Sequence, residues 1–151
     1  MLGRYLPVLL VLTALVGCKK GSENNVTGTI KIDHQPLGLG EIRLIPISNT
    51  PGLGGSARTD HNGRFTIMNA QGGQGVAAGE YKVVISKRKR PDGSDADPNA
   101  PPIESDATES LPPIWSDENQ TTLTVTITKE KKSYDFDLHM PSDPKNYVKP
   151  K

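Results

Sequence analysis

Few side chains in this chain of 151 residues are of types that do chemistry, and their spacing narrows the options further. Cys18 is the only thiol, so no internal disulfide framework exists and the fold must be held by its core. The three histidines, His34, His61 and His139, fall in two expected turns and at the end of the last expected strand, without metal-ligand spacing between them. Asp92-Gly-Ser-Asp-Ala-Asp97, with Glu104, Asp106 and Glu109 nearby, offers carboxylates to a calcium ion, Asp92, Asp95 and Asp97 being the candidate ligands. The stretch lacks the central glycine and terminal glutamate of an EF-hand, and a solvated acidic loop is the plainer alternative. Lys87-Arg88-Lys89-Arg90 is a basic run at a strand end, where alternation sends two side chains to each face. It reads either as a headgroup or polyanion contact or as a charged edge that discourages strand addition. Trp115, the only tryptophan, sits in Leu111-Pro-Pro-Ile-Trp within a polar stretch. It either pins that stretch to the core or offers a stacking platform to a sugar ring or peptide. No cofactor motif and no catalytic set is legible.

The elements that must position these residues are extended. Met1 to Tyr5 with Arg4, followed by the apolar run Leu6 to Val16, is too short for a finished membrane span and reads as a signal peptide over residues 1–17. The sequence carries 18 basic and 17 acidic residues, so loss of Arg4 with the leader leaves a formal net charge of zero and no field that favours nucleic acid. Residues 19–25 are polar and aperiodic, and are expected to form a tether with an r.m.s. reach of about 15 Å. From Val26 the apolar residues alternate. Strands are expected near Val26 to Asp33, Glu41 to Ile47, Arg64 to Met68, Glu80 to Lys87, Thr122 to Thr128 and Ser133 to His139, with a seventh if the Ala57 arm is counted. Asn62-Gly63 predicts a hairpin turn. Loops are expected at 48–56 and 71–79, and residues 88–119 form a long insertion with six prolines.

Strands that are each apolar on one face must pack as two sheets, so the expectation is an all-β sandwich of about seven antiparallel strands over residues 26–140, followed by a fraying tail at 141–151. Its predicted inward set is Ile30, Ile32, Ile42, Leu44, Phe65, Ile67, Tyr81, Val83, Ile85, Leu123, Val125, Ile127, Phe136 and Leu138. Tyr81 is expected to bond a neighbouring turn in the manner of a tyrosine corner.

Two resemblances rest on these residues. Leu15-Val16-Gly17-Cys18 resembles the lipobox of bacterial lipoproteins. That resemblance implies cleavage before Cys18, a diacylglyceryl group on its thiol, often a further palmitate-type acyl chain on its amine, and attachment to a membrane of the cell envelope. Lys19 rather than aspartate after the cysteine resembles the outer-membrane signal. Val26-Thr-Gly-Thr-Ile, Gln35-Pro-Leu, Thr59-Asp-His-Asn-Gly-Arg-Phe and Ala78-Gly-Glu-Tyr-Lys-Val together resemble the carboxypeptidase regulatory-like domain, a transthyretin-like or immunoglobulin-like sandwich, in the version common among small planctomycete lipoproteins. The resemblance implies a non-catalytic interaction or structural module, with envelope proteins or polysaccharide as partners and no cofactor. The alternative is an envelope protein that binds a small ligand or calcium through its acidic 88–119 loop. Hydroxyisourate hydrolases use the same sandwich, but their histidine and arginine set and their C-terminal Tyr-Arg-Gly-Ser do not appear here.

Overall fold

The computed structural model of the chain describes residues 23–97 and 105–142; the leader, Cys18 and its two lysine neighbours, the middle of the insertion and the last nine residues lie outside them. The strands are β1 (Glu23–Asn24), β2 (Thr27–Ile32), β3 (Gln35–Pro36), β4 (Glu41–Ile47), β5 (Gly55–Arg58), β6 (Arg64–Thr66), β7 (Met68–Asn69), β8 (Val76–Ala77), β9 (Gly79–Ser86), β10 (Arg88–Lys89), β11 (Thr108–Glu109), β12 (Thr124–Ile127) and β13 (Phe136–Leu138). Among the described residues one single-turn helix, α1 (Pro113–Ser116), interrupts them.

The two layers of an all-β sandwich are present. One sheet has the order β12-β9-β4-β5-β7, and the other is built around β2, flanked by β13 on one side and by β3 and β6 on the other. Strands β4 and β9 form the spine, in register from Glu41↔Ser86 to Ile47↔Glu80. Their alternating apolar residues Ile42, Leu44, Tyr81, Val83 and Ile85 are buried and meet Ile30, Phe65 and Leu138 of the facing layer. Ten of the predicted inward residues are buried; Ile32, Leu123, Val125 and Phe136 are only partly so, lying at strand ends and edges.

Three local outcomes differ from the sequence reading. The Asn62-Gly63 hairpin exists at its tip, where the Asp60 N–H donates to the Arg64 carbonyl at 2.9 Å, and at its base, where Ser56 pairs with Met68. Between them β6 leaves its partner to pair with β2 in the other layer, so this element is a corner that joins the sheets. Thr59 fixes the corner. Its buried hydroxyl accepts from the Gly40 N–H at 2.8 Å and donates to the Leu37 carbonyl at 2.6 Å. Gly63 is needed there, because it sits at φ 75° and an added Cβ would come within 2.5 Å of the Ile30 carbonyl oxygen.

Secondly, β13 joins β2 in parallel, Phe136↔Ile30 to Leu138↔Ile32, which corrects the all-antiparallel expectation. After β12 the chain crosses from one layer to the other instead of doubling back. Tyr134 ties the crossing: its hydroxyl donates to the Lys131 carbonyl and accepts from the Thr128 N–H, while its own N–H donates to Thr27. Gly28 makes room, since a Cβ there would lie 1.9 Å from the Tyr134 carbonyl oxygen.

Thirdly, the expected tether is shorter by its last residues. Glu23–Asn24 pairs with Val76–Ala77 as β1 and β8, and Asn24 is buried with its amide donating to the Val76 carbonyl. The domain therefore reaches back at least to Glu23, inside the stretch 19–25 expected as tether.

Candidate functional site

Strand direction gives the sandwich two chemically different ends. At one end lie β1, the turn after β4, the turn after β7 and the crossing 128–133. At the other lie the β2–β3 turn, the Thr59 corner and the root of the insertion, because Ser86, where β9 ends, pairs with Glu41, where β4 begins.

The insertion at the second end is ordered where it is described. Arg88–Lys89 pairs with Thr108–Glu109, and the turn after Lys89 closes through the Arg90 N–H to Ser94 and the Gly93 N–H to Arg90. The candidate calcium ligands do not converge. Asp92 accepts from the backbone and the hydroxyl of Ser94, which hold its carboxyl below the usual range. Asp95 is ion-paired with Lys87 at 2.9 Å. Asp97 is exposed and engaged in an interaction of its own. Among the described residues no group of three or more histidine, cysteine, aspartate or glutamate side chains is placed to hold a metal ion. The basic run is likewise divided: Lys87 also donates to the Gly38 carbonyl and Arg88 donates to the Ala107 carbonyl, while Lys89 and Arg90 are exposed.

Trp115 is 5% exposed and packs in the core with Leu111, which corrects the reading of it as a stacking platform and supports the pinning one. Proline at the start of α1 suits a single turn, since its missing N–H would have no helical partner there. Glu109 organises the approach, its Oε1 accepting from the backbone N–H groups of Lys87, Ser110 and Leu111. Asp117 closes the turn behind, accepting from the Asn119 N–H and the Gln120 amide, and these bonds lower its pKa. Between α1 and the end of β13 runs an open groove of about 880 Å³, with Leu111, Pro112, Pro113 and Met140 as apolar lining and Glu109 and Asp117 as acidic lining.

Beside that groove the structure joins residues that the sequence reading kept apart. His34 and His139 meet edge to face with ring centroids 5.1 Å apart. His34 Nδ1 lies 2.6 Å from Asp137 Oδ2, and because a carboxylate only accepts, the ring proton sits on Nδ1. The bond from His34 holds the Asp137 carboxyl below its ordinary value. His139 Nδ1 lies 3.5 Å from Asp33 Oδ1. All four side chains are exposed, so the cluster acts as a wet clip between the β2–β3 turn and the last strand. The signal for it was Asp33-His34 and Asp137-Leu-His139 at the ends of two strands whose parallel pairing the alternation did not reveal. His61 stands apart, exposed in the corner turn. Tyr81 donates to the Ala77 carbonyl at 2.8 Å, and burial pushes its phenol up, which makes it structural.

The first end is different in kind. The turn after β4 places Ser48 and Asn49 at positive φ, and the Thr50 hydroxyl clamps it to β9, donating to the Glu80 carbonyl and accepting from the Glu80 N–H. Beyond this clamp Leu53 stands 74% exposed. Asn69 closes the neighbouring turn by accepting from the N–H groups of Gln71 and Gly73. Leu53, Asn69 and Glu23 line one shallow depression, so β1 and both turns are contiguous.

No protein-family model matches the chain, and no curated protein matches it. Among solved structures it is similar to part of a 9R-lipoxygenase from Cyanothece PCC8801, at 18% identity and a TM-score of 0.36, over 81% of this chain and 16% of that one. A likeness of that extent carries no functional inference.

Proposed function

We propose that the chain is a lipoprotein of the bacterial cell envelope, anchored through acyl chains on Cys18, whose sandwich is a non-catalytic interaction module of the carboxypeptidase regulatory-like kind. The observation that supports this most is the position of β1. With Glu23 already paired in β1, the four residues 19–22 can span at most roughly 14 Å, so an acylated Cys18 would hold the sandwich against the bilayer. The insertion root and its groove, at the opposite end, are then turned away from the membrane and available to an envelope protein or polysaccharide. Partner binding there asks for a rigid support, which the Glu109 and Asp117 bonds and buried Trp115 supply. Lys19 after the cysteine favours the outer membrane.

Detergent-phase partitioning tests the anchor. The wild-type chain expressed in a bacterium that processes lipoproteins is expected in the detergent phase, and Cys18→Ser in the aqueous phase with an unchanged circular dichroism spectrum. Equal partitioning of the two would refute the proposal.

A further inference from the structure

The end of the sandwich that carries β1 has a composition unlike the rest of the chain. Residues 44–57 and 65–79 contain no aspartate, glutamate, lysine, arginine or histidine, although 23% of residues are charged and stretches of this length carry about three charges each on average. The two stretches are far apart in sequence, yet the structure places their turns side by side, with Gly55 paired to Asn69. Of the three exposed large hydrophobic residues among the described ones, Leu53 at 74% stands in a turn at this end, while Met68 at 40% lies further along the sheet, level with Ser56 and Arg43, and shares with Leu53 a shallow depression that Arg43 also lines. Thr50 clamps the start of the first turn to β9 and Asn69 closes the second, and between Gly52 and Gly54 Leu53 projects away from the core. At the same end the crossing between β12 and β13 exposes Lys129, Lys131 and Lys132 around a single Glu130.

We infer that this end is a membrane-resting face: Leu53 enters the boundary between headgroups and acyl chains, Met68 lies at its margin, and the three lysines face anionic headgroups. The inference rests on acylation of Cys18, because residues 19–22 are what bring this end, and not the other, to the bilayer. The two uncharged turns are suited to that position, since they lose little hydration on approaching lipid, whereas exposed Glu23, which lines the same depression as Leu53, and Glu80 are acidic and stay at the headgroup water. Leu53 and the lysines share this end but not one edge of it, since β9 and β4 separate β12 from β5; an exposed leucine together with basic residues on one face is the pattern by which proteins lie on an interface. Because the acyl chains already secure the protein, the loop contact sets orientation: it keeps the domain upright and directs the insertion away from the membrane. Each lysine is expected to favour anionic over neutral vesicles about fivefold.

The test uses the full acylated chain in vesicles of phosphatidylethanolamine and phosphatidylglycerol, with intact mass confirming acylation in every sample. Leu53→Cys and, at the opposite end, Asn62→Cys each supply one free thiol for an environment-sensitive fluorophore, the Cys18 sulfur being blocked by lipid. Lipids carrying nitroxides near the headgroup are expected to quench the label at 53 at least several-fold more than the label at 62. Equal, water-like emission at both sites in acylated protein would overturn the inference while leaving the anchor in place. A label at 53 shielded from water but untouched by the nitroxides would mean that a protein surface covers the loop, and would also overturn it. Absence of acyl mass would remove the anchor and this inference together.

Discussion

Replacing Trp115 by alanine measures what holds the insertion in place. A single helical turn has no stability of its own, and α1 is closed by local bonds alone: backbone bonds from Trp115 and Ser116 to Pro112 and from Asp117 to Pro113, and the Ser116 hydroxyl donating to the Pro112 and Leu111 carbonyls. Its position therefore depends on the buried indole, 5% exposed, and on Leu111, 8% exposed, both part of the core. Truncating a buried tryptophan removes both its transfer free energy and its packing contacts, about 3–5 kcal/mol in total. Against a domain stability of about 5–15 kcal/mol that is a large fraction, equivalent to a fall in Tm of about 12–20 °C for a domain of this size. Urea unfolding followed by far-UV circular dichroism reads the effect, because the variant has no tryptophan to report. The insertion is also expected to become the first site of limited proteolysis, since its root has lost its anchor. A change below about 1 kcal/mol with an unchanged m-value would show that the ring is not part of the core and would refute the reasoning.

Two further outcomes follow from the same geometry. Thr59→Val strands the Gly40 N–H and the Leu37 carbonyl, each worth about 1–3 kcal/mol when left unsatisfied, so a loss of about 2–6 kcal/mol is expected in urea unfolding, with Thr59→Ser closer to wild type. The Asp137 carboxyl is held below its ordinary value by His34, so its contribution is present above the normal carboxylate range and disappears as pH falls through the depressed folded value. Asp137→Asn should flatten that part of the curve of Tm against pH, and an unchanged acid slope would contradict the assignment.

Much of the sandwich was legible because period-two alternation reports which face of a strand is buried. Strand β4 falls where Ile42 and Leu44 alternate with Glu41 and Arg43, and β9 where Tyr81, Val83 and Ile85 do. Alternation does not report the partner. That is why the parallel seat of β13, the division of β6 from β5, and the resulting meeting of His34 with His139 emerged only in three dimensions. Two-residue strands such as Glu23–Asn24 carry no period at all, so a buried Asn24 looked like tether. Val84 and Val76 are buried as well, although the first faces opposite to Val83 and the second lies in a glycine-rich stretch, positions that pattern alone assigns to solvent. For Trp115 the sequence left two readings open, and burial decides between them. The acidic stretch was a candidate by composition; in space its carboxylates are spent on Ser94 and Lys87.

The most direct measurement of the central claim is the intact mass of the protein extracted from the membranes of a lipoprotein-processing bacterium, followed by fragmentation of its N-terminal peptide. The account predicts a chain that starts at Cys18 and carries the added mass of a diacylglyceryl group, with or without an amide-linked acyl chain. A chain that retains residues 1–17, or that starts at Cys18 with an unmodified thiol, would contradict it.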